Sequence, residues 1–392
     1  MLNTPFSPWP SFTEEEADAV RAVLLSNRVN YWTGQECREF EKEFAAWAQV
    51  KHAVAVTNGT VALDLALKAL GIGAGDEVVV TPRTFLASVS SIVNCGAVPV
   101  FADVDRETQN FTADSIRAVL TSRTRAFICV HLAGWPCDMD PIMSLAKEFG
   151  IKVIEDCAQA HGAFYKGRPV GSIGDIGAWS FCQDKIMTTG GEGGMVTTND
   201  SELWSSMWSF KDHGKSWEAV YEHEHPPGFR WLHESFGTNW RMLEIQAVIG
   251  RIQLRRMRNW NTSRLNNARQ IWECARTCVA LRVPVVPEDI VHAAYKCYVF
   301  VRPDKLKINW DRDRILTEIA AQGVPCFSGS CSEVYLEKAF DNTRWRPEKR
   351  LAAAKELGET SLMFMVHPTL TEAQVAKTCD ILKRIMSEAT EA

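Results

Sequence analysis

Between residues 53 and 198, short apolar runs alternate with helix-like segments, and this alternation leaves the chain few architectures to choose from. Seven runs stand out: AVAV (53–56), EVVVT (77–81), PVFADV (99–104), AFICVHL (126–132), KVIEDC (152–157), GAWSF (177–181) and GMVTT (194–198). Most are continuously apolar. A strand of that kind is buried on both faces, so helices must cover both sides of its sheet. Helical patterns fall between the runs, at about 61–70, 86–94, 113–120 and 140–149. Upstream, Thr13 to Glu16 reads as a capping box opening a helix to about Ser26. Residues 35–50 read as a second helix, with Phe40, Phe44, Ala45 and Trp47 on one face. The predicted class is α/β: a large domain over 1–260 with a seven-stranded, mostly parallel sheet flanked by helices, then a smaller C-terminal α+β domain over 261–392. A long helix is expected from about Met242 to Thr277, and a capping box at Thr371 opens the last one.

Ligands of open parallel sheets bind beyond the carboxyl ends of the strands. Residues far apart in sequence converge there: Asn58, Gly59 and Thr60 after the first strand, Phe85 after the second, Asp156 and Gln159 after the fifth, Ser180 and Lys185 after the sixth. Each has two readings. Asn58-Gly59-Thr60 is an ordinary helix N-cap or a phosphate cradle at a helix N-terminus. Phe85 is core or stacks on a flat ligand. Asp156 caps a helix or pairs with a buried cation such as a pyridinium. Ser180 bonds to backbone or to a phosphate. Lys185 precedes a glycine-rich run (Gly190, Gly191, Gly193, Gly194); it is solvated, or it is a desolvated amine that forms a Schiff base. Arg83 makes a structural ion pair or grips a substrate anion with its planar fork. Gly71 to Gly75 comes after a helix and before a strand, the reverse of a dinucleotide-binding loop.

Composition excludes several classes. The net charge is -5 and no polybasic tract occurs, which argues against nucleic acid. No apolar run approaches the ~20 residues of a membrane span. The first residues lack a basic segment followed by an apolar core, so no signal peptide is expected. The 12 cysteines include no C-x-x-C pair, so no metal is expected, and free thiols in apparent core strands (Cys129, Cys157) fit a reducing, cytoplasmic setting. The 14 tryptophans suggest aromatic contact area at a subunit interface, and the aperiodic region 211–240 reads as an interface arm.

A phosphate cradle, a stacking ring, a carboxylate for a ring nitrogen and a lysine for an aldehyde describe pyridoxal 5'-phosphate chemistry. The segments TNGTVALDLALKALGIGAGDEVVVTPRTF, VIEDCAQAHGA, SFCQDKIMTTGGEGGMVTTND and GTNWRMLEIQAVIGRIQL resemble the DegT/DnrJ/EryC1/StrS family of sugar aminotransferases, which have the aspartate aminotransferase fold (fold type I). The match runs over nearly the whole chain and is densest from about 28 to 255. The resemblance implies that Lys185 is the Schiff-base lysine and catalytic proton carrier. It implies that Asp156 pairs with the pyridine nitrogen, Gln159 bonds the ring hydroxyl and Phe85 stacks on the ring. Gly59, Thr60 and Ser180 would hold the phosphate, joined by Asn239 from the neighbouring subunit of a homodimer with shared sites. It implies glutamate as donor and a keto sugar as acceptor, nucleotide-linked in most members, with a role in lipopolysaccharide or related amino-sugar biosynthesis. Arg83 keeps a free acidic keto sugar, such as a keto-3-deoxy-octulosonate, as the alternative acceptor. Related dehydratases carry His at the lysine position, so Lys185 argues against that activity.

Overall fold

The computed structural model of the chain describes residues 6–225, 227–228 and 230–390. Helices α1 (Glu14–Leu25) and α2 (Glu36–Trp47) come first. The capping box at Thr13 is present, with the Thr13 amide donating to Glu16 Oε2 at 2.8 Å. There follow β1 (His52–Val56), α3 (Gly59–Ala69), β2 (Glu77–Val80), α4 (Ala87–Asn94), β3 (Val98–Phe101), α5 (Ala113–Arg117), β4 (Thr124–Val130), α6 (Met139–Phe149) and β5 (Lys152–Asp156). A short hairpin, β6 (Phe164–Tyr165) and β7 (Arg168–Pro169), precedes β8 (Ile176–Ser180) and β9 (Gly194–Thr198).

All seven predicted strands form one sheet in the order β1-β9-β8-β5-β4-β2-β3. Strands β8, β5, β4, β2 and β3 pair in parallel, and β9 runs antiparallel to both its neighbours. Every residue of β2, β8 and β9 is buried, as continuous apolar runs require. Two predicted runs end early by more than one residue. The 99–104 run stops at Phe101. The 126–132 run stops at Val130, because the chain turns at Leu132–Gly134 with Ala133 at φ 59°.

The rest comprises α7 (Ser201–Lys211), α8 (Trp217–Tyr221), α9 (Glu244–Arg276), β10 (Leu281–Arg282), β11 (Ile290–Val291), β12 (Cys297–Val301), α10 (Arg312–Ala321), β13 (Cys326–Phe327), α11 (Ala352–Thr360), β14 (Ser361–Phe364) and α12 (Glu372–Ala389). A small antiparallel sheet, β10-β12-β14-β13, shares a core with the C-terminal half of α9, α10 and α12. β11 returns to pair with β6, beside the large sheet. Helix α9 runs unbroken through residues 260 and 261. Its Ala247, Leu254 and Met257 enter the large core, and its Ala268, Ile271, Trp272 and Ala275 enter the small one.

Within 211–240 the chain forms α8 and two isolated bridges, Lys215 to His233 and Asp212 to Asn239. The part of the expected arm at Pro226 and Phe229 lies outside the described residues. Several tryptophans serve the chain's own packing: Trp32, Trp204, Trp208 and Trp217 form a cluster of ring contacts, and Trp179 is 1% exposed. Tyr31 and Trp32, in the 28–34 loop, join this cluster, and Trp208 Nε1 donates to Tyr31 Oη at 3.0 Å. Among the described residues no helix is long and apolar enough to cross a membrane.

Gly250 shows how closely α9 is seated. A Cβ there would lie 2.6 Å from Phe40 Cζ and 3.0 Å from Thr189 Cγ2. Gly250→Val is expected to lower unfolding stability by about 1–3 kcal/mol in a denaturant titration, the usual cost of overpacking.

Candidate active site

The carboxyl ends of β1, β2, β5 and β8 open into a cleft of about 1030 Å³. Asn58, Gly59, Thr60, Phe85, Asp156, Gln159, Ser180 and Lys185 all line it. The residues that the sequence predicts to converge therefore share one space. Asn58 caps α3, its Oδ1 accepting from the Val61 amide at 2.9 Å. The first-turn amides of a helix have no acceptor within it, so those at Gly59 and Thr60 are available to an anion. The approach requires glycine: a Cβ on Gly59 would lie 2.5 Å from Ser180 Cβ, and one on Gly194 would lie 2.3 Å from the Asn58 carbonyl oxygen. Ser180 Oγ, beside this helix end, accepts from the Cys182 amide at 3.3 Å.

Asp156 ends β5 with its carboxyl almost fully enclosed, 5% exposed as a residue. Ser88 Oγ donates to Oδ2 at 2.7 Å and the Ala158 amide to Oδ1 at 3.1 Å. Thr84 and Ser88 hydroxyls are 2.8 Å apart and extend the chain of bonds. Among the described residues no cation lies within ion-pair distance, and burial raises the Asp156 pKa above the ordinary carboxyl value. Gln159 Oε1 accepts from the Ala133 amide at 2.8 Å, which leaves Nε2 as the donor it offers the cleft. Phe85 is 71% exposed, so it is not core. Lys185 sits in the turn after β8, its amide donating to the Cys182 carbonyl at 3.0 Å. Its side chain is 15% exposed, with Nζ 3.7 Å from Asp184 Oδ1 and 5.3 Å from the Tyr295 ring centroid.

Two expected site residues are placed elsewhere. Arg83 does not line the cleft; it is fully buried. Its Nε and Nη2 donate to Gln109 Oε1 at 3.1 and 2.9 Å, Nη2 also reaches Ser361 Oγ at 2.9 Å, and the guanidinium lies over the Tyr298 ring. The geometry supports the structural reading of Arg83, with neutral partners in place of an ion pair. Its chain direction decides this: Phe85 projects outward from the turn and Arg83 inward. Asn239 is exposed and outside this chain's cleft.

Other cleft residues carried no signal in the sequence. Tyr295 and Lys296 come from the segment entering β12, Tyr298 from β12 itself, and Gly329 to Cys331 from the stretch GSCSE (329–333). That stretch docks on the end of β2, where the Thr84 amide donates to the Cys331 carbonyl at 3.1 Å and the Val334 amide to the Pro82 carbonyl at 2.9 Å. From the N-terminal segment, Trp9 Nε1 donates to the Lys185 carbonyl at 2.8 Å. One group of metal-type ligands occurs among the described residues: His131, Glu155 and Cys157, within 4.8 Å of one another. Glu155 accepts from the Gly171, Ile173 and Gly174 amides at 2.9, 2.8 and 2.7 Å and contacts His131 Nε2 at 3.0 Å, while His131 Nδ1 accepts from the Cys137 amide. These atoms are engaged with each other, consistent with a structural network.

A buried, cation-free carboxylate, a glycine-only helix terminus, an exposed ring and a recessed lysine define a site for an aromatic, phosphate-bearing aldehyde cofactor. The chain belongs to the DegT/DnrJ/EryC1/StrS aminotransferase family, whose model matches residues 10–383. Members of this family are sugar aminotransferases that depend on pyridoxal 5'-phosphate. The fold is superposable on a solved aminotransferase from Psychrobacter cryohalolentis, with TM-score 0.97 and 65% identity, covering 98% of this chain and 100% of that one. The GDP-perosamine synthase of Escherichia coli O157:H7 is 35% identical over 97% of this chain and 98% of its own length. The dTDP-3-amino-3,4,6-trideoxy-alpha-D-glucose transaminase of Streptomyces venezuelae is 32% identical over 93% of this chain and 90% of its own.

The residues present fit the cofactor, and Asp156 gives the sharpest check. Burial raises its pKa, so in the cofactor-free protein its ionisation costs stability as pH rises through the folded value. Cofactor-free Asp156→Asn is expected to melt at or above the wild-type temperature at neutral pH. The same substitution is expected to weaken pyridoxal phosphate binding by about tenfold or more in a visible-absorbance titration, the scale of one charge-assisted bond. Unchanged affinity would remove Asp156 as the partner of the ring nitrogen.

Proposed function

We propose that this sugar aminotransferase moves the amino group of glutamate to a keto sugar carried on a nucleoside diphosphate, in amino-sugar synthesis for lipopolysaccharide or a related cell-surface polysaccharide. The reading rests above all on one observation: Lys185, Asp156 and the N-terminus of α3 meet in one cleft. The acceptor class is supported by relatives named for GDP- and dTDP-linked sugars. It is supported also by Arg83, whose burial on Gln109 and Ser361 leaves no guanidinium there for a sugar acid. A free acidic keto sugar is therefore the weaker reading.

When bound, the cofactor supplies an aldehyde that takes up the donor amine and a ring that accepts the electrons left when the α-proton departs. The protein's residues do the rest. The Gly59 and Thr60 amides with the Ser180 hydroxyl would hold the phosphate. Asp156, oriented by Ser88, would keep the ring nitrogen protonated, Gln159 Nε2 would bond the ring hydroxyl, and Phe85 would cover the ring face. Lys185 Nζ would hold the aldehyde end and, with the donor in place, move a proton at the donor α-carbon. The keto acid leaves before the sugar enters, which gives ping-pong kinetics. The working unit in this reading is a cytoplasmic homodimer in which Asn239 reaches the partner's phosphate site. Exposed Asn239, Trp231 and Phe236 (87% and 100% exposed for the last two) suit such a contact. Two domains meet along α9, divided near residue 260.

Glutamate added to the yellow holoenzyme is expected to bleach the visible cofactor band, and a nucleoside-diphosphate keto sugar to restore it. Restoration by a free keto-deoxy sugar acid alone would overturn the acceptor assignment. Lys185→Ala is expected to lose turnover by roughly 10³-fold or more, and a variant with full turnover would remove Lys185 from its role.

A further inference from the structure

The cleft contains a second lysine that the chemistry above does not use. Lys296 immediately precedes β12 and lines the same space as Lys185. Its Nζ has one weak acceptor, Met365 Sδ at 3.6 Å, and lies 4.6 Å from the Tyr295 ring centroid. Among the described residues no carboxylate is within ion-pair distance of it. Asp184, the acid that acts on it through space, is taken by the Tyr295 hydroxyl and stands 3.7 Å from Lys185. A largely enclosed ammonium without a counter-ion is costly unless a ligand brings the charge.

Its position is set by the backbone. The Tyr295 and Lys296 amides donate to the Ala133 carbonyl at 2.9 and 3.5 Å, while the Ala133 amide donates to Gln159 Oε1. Lys296 is thus tied through one residue to a side chain of the cofactor site. Lys185 and Lys296 lie 5.3 and 4.6 Å from the centroid of the same Tyr295 ring, and both line the cleft. The amino donor is the substrate with an anion at that place. Its carboxylate is attached to the carbon that surrenders a proton to Lys185, whereas the acceptor's charge lies on a diphosphate remote from the reacting carbon.

We infer that Lys296 binds the carboxylate next to the reacting carbon of the amino donor. The inference rests on the glutamate-dependent reaction proposed above. Burial lowers the Lys296 ammonium to about 8; Asp184 opposes this shift, and Arg264 and Lys185 add to it. Tyr295 and His367 are the other titratable groups beside it. The cation that binds the donor is therefore present below about pH 8 and lost above it.

The test is a spectrophotometric titration of the holoenzyme with glutamate, backed by calorimetric binding of glutarate, a dicarboxylate without an amine. Lys296→Met is expected to raise both midpoints by about tenfold or more, and Lys296→Arg to recover most of the loss. The wild-type glutamate midpoint is expected to climb as pH passes about 8, with no such climb in Lys296→Met. Retained cofactor absorbance shows that a variant is folded; if Lys296→Met loses it, Lys296→Gln takes its place. Unchanged midpoints, or Lys296→Arg as impaired as Lys296→Met, overturn the inference alone. A wild-type holoenzyme that does not respond to glutamate overturns the donor reading and this inference together.

Discussion

At the end of β5 the Asp156 carboxylate is enclosed, bonded to one hydroxyl and one amide, with no cation within ion-pair distance among the described residues. Much of the surrounding architecture serves to hold it there. Parallel pairing of β5 with β4 and β8 fixes its height in the sheet. Ser88, on the first turns of α4, supplies its hydroxyl donor. The preceding residue, Glu155, is on the opposite face of the strand, as alternation requires. There it is engaged by three amides and His131. One face of β5 thus carries a carboxylate satisfied within the fold, and the other a carboxylate left for a ligand. In the proposed function a protonated pyridine ring would supply the missing charge.

The small sheet completes the site instead of merely flanking it. Gln159, Ala133 and Tyr295 form a continuous run of hydrogen bonds from the large sheet to the segment entering β12. The GSCSE stretch is tied to the end of β2 by two backbone bonds. Helix α9 shares its apolar surface between both cores. The cleft therefore has one wall from the parallel strands and another from the C-terminal region.

The strands were legible because parallel, doubly covered strands read as uninterrupted apolar runs, and all seven occur. The convergence of the strand-end residues on one cleft was legible because ligand sites in such sheets follow from topology. Arg83 and Phe85 mark the limit. They are two residues apart in one turn, where no period says which side chain faces inward. Burial favours the structural reading of Arg83, with neutral partners, and leaves Phe85 open to the cleft. The tryptophans show the same limit, since composition reports their number and not that several pack against each other.

The sequence by itself determined the sheet, the family and the cofactor, because local periodicity and the order of glycine, carboxylate and lysine are written along the chain. Only the tertiary structure decided which cations and aromatic rings reach the cleft. Tyr295, Lys296 and Cys331 lie more than a hundred residues beyond Lys185, and they arrive through long-range backbone bonds to Ala133 and Thr84. Such contacts depend on how two separately patterned regions dock, and side-chain period carries no record of that docking.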